Sequence, residues 1–179
     1  MNTKHPNLIV ITGCAGFIGS HLVEELIRLG HEVVVIDNLS TGRIENLSTV
    51  SSAIEFVEAD LSNKSDWIRS FEGIDWVFHL AALADIVPSI QKPDAYFSSN
   101  VNGTYNVLRA VQQANVKRLI YIASSSCYGI PDQYPTPETE YLKPQYPYAL
   151  TKCIGEELVL HWADVYGLSA LSLRFFNVY

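Results

Sequence analysis

The sequence lacks any apolar run near the ~18 residues that a membrane helix needs. It also lacks a basic cluster: 12 Lys and Arg stand against 19 Asp and Glu, for a net charge of −7. A nucleic-acid partner would call for a basic patch or stripe. Any phosphate bound here must be met by backbone N–H groups and helix ends. Cysteine is scarce: Cys14, Cys127 and Cys153 are odd in number and form no CxxC pair. That argues against a disulfide framework or a zinc knuckle and fits a reducing cytoplasm, with three unpaired thiols near the core. The five histidines are scattered without ligand spacing, so no metal is expected. The opening MNTKHPNLIVITG has one lysine and a short apolar run, unlike a secretory signal. There is no repeat, low-complexity tract or linker.

Hydrophobic residues make up 48% of the 179 positions and charged ones 17%, a globular composition sufficient for one domain. Apolar runs at 8–12, 32–37, 54–60, 75–82, 118–126 and 169–176 read as strands. Helical spacing is predicted for 15–29, 63–73, 93–115 and 147–166, with Gly30 and Gly167 as stops. Continuous apolar strands alternating with helices predict parallel pairing and a doubly wound α/β sheet. The stretch 128–147 holds five of the eight prolines and reads as a long ordered loop, a usual place for function.

The first strand runs into TGCAGFIGSH, with Gly13, Gly16 and Gly19 spaced three and three. The first glycine permits the tight turn, the second lets backbone approach a pyrophosphate, and the third lets helix pack on strand. A glycine pattern alone is weak, but this one follows a strand and opens a helix. Asp37 ends the second strand 18 residues beyond Gly19. A carboxylate there accepts ribose hydroxyls and repels a 2′-phosphate, which favours NAD over NADP. Asp60 sits at the same edge and suits either an adenine contact or a helix N-cap.

Tyr148 and Lys152 stand four apart on a predicted helix and share a face. The chain has ten tyrosines, and only Tyr148 has a lysine four residues on. A neighbouring ammonium is expected to lower the phenol pKa and fit the tyrosine for proton exchange beside a nicotinamide. Ser124, Ser125 and Ser126 end the fifth strand, where ligands bind in open α/β sheets. His79 and His21 read as structural residues.

TGCAGFIG, Asp37, HLAA (79–82), SSS before YG, YPYALTK and LRFFNVY together resemble the extended short-chain dehydrogenase/reductase superfamily. Within it the chain is most similar to nucleotide-sugar 4-epimerases of the UDP-glucose and UDP-N-acetylglucosamine kind. The resemblance implies a three-layer Rossmann fold over 1–179 that binds NAD. It implies that Gly13, Ala15, Gly16, Phe17 and Ile18 meet the pyrophosphate, and that Asp37, Asn38, Ser40, Thr41 and Gly42 meet the adenosine ribose. It further implies that Asp60 and Leu61 line the adenine pocket and Ala81, Ala82 and Ala84 the strand-end segment. Asn100 falls where the family supports its lysine, and Phe175 near nicotinamide. Ser124, Tyr148 and Lys152 match the catalytic residues, and Ser89, Ser125, Ser126 and Asn177 fall on the side of the sugar nucleotide. Ser125 and Ser126 stand where related dehydratases carry an acidic pair, which points to simple epimerisation. An NAD-dependent sugar-nucleotide dehydrogenase, reductase or dehydratase, or a non-catalytic NAD-binding module, remains the alternative. The family continues past FNVYG into a smaller substrate domain, which this chain largely lacks. A homodimer through the helices at 93–115 and 147–166 is also implied, with Leu150, Ile154, Leu158 and Trp162 expected mostly in the core.

Overall fold

The computed structural model of the protein describes residues 6–179. Strand β1 (Leu8–Thr12) pairs in parallel with β2 (Glu32–Asp37), which pairs with β3 (Ile54–Glu58). On its other side β1 pairs with β4 (Trp76–His79), followed by β5 (Arg118–Ser124) and β6 (Ala170–Phe175). All pairs are parallel, and the order is β3-β2-β1-β4-β5-β6. This is the dinucleotide-binding arrangement, whose order reverses between β1 and β4.

The helices are α1 (Phe17–Arg28), α2 (Ile86–Gln91), α3 (Pro93–Tyr96), α4 (Gly103–Gln113) and α5 (Pro147–Tyr166). Successive strand residues face opposite sides of the sheet. On one side Ile9, Ile11, Val33 and Val35 pack on Val23 and Leu26 of α1 and on Leu47 of a 3-10 helix, Ile44–Ala53. On the other side Val10, Val34, Val77 and Leu119 pack on Val107 and Leu108 of α4 and on Val159 and Trp162 of α5. The result is the three-layer α/β/α sandwich that the alternation of strands and helices predicts.

Several elements depart from expectation. The single helix expected over 93–115 comprises α3, a π-helical segment (Phe97–Asn102) and α4, which widens where Asn100 turns inward. The stretch at 63–73 forms only a 3-10 helix, Asp66–Phe71. The 3-10 helix Ile44–Ala53 and α2 were not expected. The first carries Ile44, Leu47 and Val50 at a spacing of three among serines and polar residues, a short period that suits a 3-10 turn. The second carries Pro88 in its first turn, where a missing N–H is tolerated. Strand β4 stops at His79 and β5 at Ser124, freeing the following residues to line the site. Leu150 is exposed rather than in the core, whereas Trp162 is buried.

Candidate active site

A cleft of about 330 Å³ opens at the carboxyl ends of β1, β2 and β4, beside the point where strand order reverses. Gly13, Gly16, Phe17 and Ile18 form its floor, and Asp37, Asn38, Ser40, Thr41 and Gly42 one wall. Asp60 and Leu61 close one end, while Ala81, Ala82 and Ala84 run toward the other. Gly13 has φ +72°, and a Cβ there would lie 2.6 Å from the Ala81 nitrogen. That tight strand-to-helix turn is therefore open to glycine alone. Ala15 lies behind the cleft, fully buried, and its N–H donates to Asp37 Oδ2 at 2.9 Å.

This site fits a dinucleotide pyrophosphate. Gly16 caps α1 with no side-chain cap, and the first turn holds no acidic residue, so the positive helix end is open to an anion. A Cβ at Gly16 would meet only the Gly13 carbonyl oxygen at 3.4 Å, so a side chain there would stand in the cleft itself. Asp37 accepts one backbone N–H on each oxygen, from Ala15 and from Leu39 (2.8 Å), which leaves further lone pairs for ribose hydroxyls. Asp60 accepts from the Ser62 N–H at 2.9 Å, so its turn-forming role is realised while it also lines the cleft.

Beyond Ala84 lies the second cluster. Lys152 on α5 is buried, and its Nζ donates to the Ile122 carbonyl at 2.7 Å, 5.1 Å from the centre of the Tyr121 ring. Ile122 also lines the cleft, which joins the two halves of the site. Burial pushes the Lys152 pKa down to about 8. The expected lowering of the Tyr148 pKa is not found: burial raises it, and the Ser124 hydroxyl only partly offsets that rise. The reason is geometric, since the ammonium points into the sheet at Ile122. Ser124 accepts from the Ser126 N–H (3.2 Å) and from Ser126 Oγ (2.8 Å), so it caps the turn Ser125–Tyr128 and keeps its own proton to donate.

Other expected residues fall at different distances from the cleft. Asn100 is buried in the π segment and bonds Leu83 and Thr151 rather than Lys152. Phe175 ends β6 in register with Ser124, and Asn177 is exposed just beyond. Ser89 is fully buried in α2, with its hydroxyl donating to the Ile86 carbonyl at 2.6 Å. Sequence reasoning passed over Asn106, whose amide donates to the carbonyls of Leu61 (2.9 Å) and Ser62 (3.1 Å) and pins the Asp60 end of the cleft. The signal was an asparagine on the buried face of an apolar helix. Cys14, Cys127 and Cys153 are free and buried, as expected. Among the described residues no group of His, Cys, Asp or Glu could hold a metal ion, and no helix is long and apolar enough to cross a membrane.

Comparison with known proteins bears on this geometry. Residues 9–179 match the model of the NAD dependent epimerase/dehydratase family. The chain is 37% identical over 173 residues to the UDP-glucose 4-epimerase of Lacticaseibacillus casei, covering 95% of this chain and 51% of that protein. A UDP-N-acetylglucosamine 4-epimerase from Methanobrevibacter ruminantium M1, solved with UDP-N-acetylmuramic acid, superposes with TM-score 0.93 at 36% identity, over 98% of this chain and 56% of that one. The UDP-glucose 4-epimerase of Brucella ovis, solved with NAD, gives TM-score 0.89 at 35% identity, over 96% and 52%. The chain thus spans about half the length of the curated relatives it matches. With its sheet order, glycine loop and family match in agreement, the chain belongs to the NAD dependent epimerase/dehydratase family.

Proposed function

We propose that this chain is the cofactor-binding and catalytic part of an NAD-dependent nucleotide-sugar epimerase acting at carbon 4 of a UDP-hexose. What supports the reading is the placing of Ser124 at the end of β5 and of Tyr148 and Lys152 on α5, with the Lys152 ammonium held on the carbonyl of Ile122, a residue that also lines a cleft suited to a dinucleotide. Bound NAD supplies the site that takes and returns the hydride, so the cycle has no net redox change.

The chain's own residues do the rest. Gly13, Gly16, Phe17 and Ile18 seat the pyrophosphate, and Asp37 takes ribose hydroxyls. Tyr148 removes the proton from the sugar's 4-hydroxyl and later returns it. Ser124 accepts from Ser126 and so turns its single proton to the Tyr148 oxygen, which favours the phenolate. Lys152 keeps a positive charge one helical turn away in a dry site, where charge is felt strongly. Ser125, Ser126 and Asn177 approach the sugar nucleotide. With serines in place of an acidic pair, nothing beside Ser124 assists the loss of water, which favours epimerisation over dehydration. Exposed Phe97 and Leu150, on the π segment and α5, support a homodimer through these helices.

The test is interconversion of UDP-glucose and UDP-galactose, and of their N-acetylamino forms, followed by NMR with substoichiometric NAD. Tyr148→Phe is expected to abolish turnover and leave the NAD dissociation constant within about threefold, because the hydroxyl acts in the transition state. Equal loss of both sinks the assignment. Stoichiometric NADH release would instead mark a dehydrogenase.

A further inference from the structure

Two runs of hydrogen bonds meet at Asn100, one on its backbone carbonyl and one on its side chain, and link the cleft-lining segment to α5. The Ala81 N–H donates to Thr12 Oγ1 at 3.3 Å, and Thr12 Oγ1 lies 2.7 Å from His79 Nδ1. His79 Nε2 lies 2.9 Å from Thr104 Oγ1, which donates to the Asn100 carbonyl at 2.6 Å. The Asn100 side chain then grips Leu83 twice: Oδ1 accepts its N–H at 2.8 Å, and Nδ2 donates to its carbonyl at 3.0 Å. The second Nδ2 proton goes to Thr151 Oγ1 at 2.9 Å, and Thr151 donates to the Tyr148 carbonyl at 2.8 Å. Thr12, His79, Asn100, Thr104 and Thr151 are all at most 3% exposed.

The protons in these runs have one direction. A carbonyl only accepts, so the single Thr104 proton is committed to Asn100. His79 Nε2 must therefore carry the proton that reaches Thr104, and its bare Nδ1 accepts from Thr12. Burial pushes the His79 pKa down to about 3, so the ring stays neutral. Asn100 spends both amide protons and its oxygen, and sits in a π-helical turn, a feature that recurs at functional sites. At one end the two runs hold Ala81 and Leu83 beside the cleft. At the other the side-chain run holds the backbone of Tyr148.

We propose that Thr151 and His79 are positioning residues, which keep Tyr148 in register with the Ala81–Ala84 end of the cofactor cleft. This rests on reading Tyr148 as the base. A core packed only for volume would accept valine at Thr151. A hydrogen-bonded relay would not, because the buried Asn100 proton loses its acceptor and the Tyr148 carbonyl keeps only its helical donor, losing the Thr151 hydroxyl that ties it to Asn100.

The experiment compares Thr151→Val and Thr151→Ser in the full chain. Thr151→Val should lower kcat about tenfold or more, the effect expected for a slightly misplaced reacting group. The KM for the sugar nucleotide and the NAD dissociation constant should stay within about twofold, and Thr151→Ser should restore kcat. A second readout needs no turnover: the Tyr148 ring-carbon NMR signal in ¹³C-tyrosine protein, assigned with Tyr148→Phe, followed through its titration. The groups facing this phenol are Ser124 at the end of β5, Cys127 in the turn that follows it, Tyr96 on α3 and Asp85 before α2, while the Lys152 ammonium on its own helix is turned to the Ile122 carbonyl. The Thr151 variants change none of them. Loosening Tyr148 from Ser124 should raise its titration midpoint by about half to one pH unit in Thr151→Val only. ¹⁵N-histidine spectra should show His79 protonated at Nε2 and unchanged from about pH 5 to 8. Equal kcat and equal Tyr148 titration in both variants, or a titrating His79, overturns the proposal. If the wild-type protein interconverts no UDP-sugar, the functional reading fails, and the Tyr148 titration still decides this one.

Discussion

Lys152 shows what burial does to a single charge. Its pKa falls from the ordinary 10.5 to about 8 because desolvation outweighs every compensating contact. The unfolded chain holds this proton up to about pH 10.5, and the folded one only to about pH 8. Between those values the unfolded state binds more protons, so stability rises with pH across the window. Below it the folded protein bears the full cost of the buried cation, about 3 kcal/mol. Lys152→Met is therefore expected to melt above the wild type near pH 7, with the gap closing by about pH 10, while turnover is lost. Thermal unfolding at several pH values checks this. A gap that stays constant from about pH 7 to 10 would rule out charge burial as the cause. At this scale Gly13, Gly16, Asp37 and Tyr148 with Lys152 were legible, because their chemistry lies in short spacings along the chain. The Thr12–His79–Thr104 relay was not, since its members stand 67 and 25 positions apart.

Among the elements, β6 and α5 are joined by an ion pair of unusual depth. Arg174 Nη2 donates to Glu156 Oε1 at 2.6 Å, and its Nε bridges both carboxylate oxygens. The same guanidinium donates to the Tyr128 hydroxyl (3.0 Å) and the Glu138 carbonyl (3.3 Å), while Ser172 donates to Glu156 at 2.6 Å. The proline-rich loop 128–147 is thus tied at its start and middle to the helix that carries Tyr148. The Glu156 side chain is only 4% exposed and that of Arg174 23%. Removing one partner strands a buried charge, at a cost of several kcal/mol that the exposure of Arg174 trims to about 2–3 kcal/mol. Arg174→Met should lose that much in urea unfolding, and Arg174→Met with Glu156→Met should regain most of it. Additive losses in the double variant would show that the pair acts through packing alone. Strands and long helices were legible here because strands buried on both faces leave continuous apolar runs. The π segment was not, because Asn100 earns its inward turn only from Leu83 and Thr151, which lie in other elements.

For the whole molecule, the parallel six-stranded order puts every ligand-facing loop at one sheet edge. Away from that edge, α3, the π segment and α5 leave a groove lined by Pro93, Phe97, Tyr146 and Leu150. Phe97 and Leu150 are each 49% exposed. Apolar surface of this kind on adjoining helices suits self-association. Light scattering of the protein at micromolar concentration should report a dimer, and Leu150→Glu should reduce it to the protomer mass. A wild-type protomer under the same conditions would sink the dimer.

By itself the sequence determined the alternation of strands and helices, the glycine turn that opens α1, the carboxylate at the end of β2, and the placing of Tyr148 and Lys152 on one helical face. These are consequences of local spacing, and spacing survives in a linear text. The tertiary structure alone decided that Lys152 points at Ile122, that the Tyr148 pKa moves up, that Asp60 caps a turn while lining the cleft, and that a buried relay joins the cleft to Tyr148. Each of these depends on burial and on partners brought in from distant strands, and desolvation has no value until the chain has folded around the group.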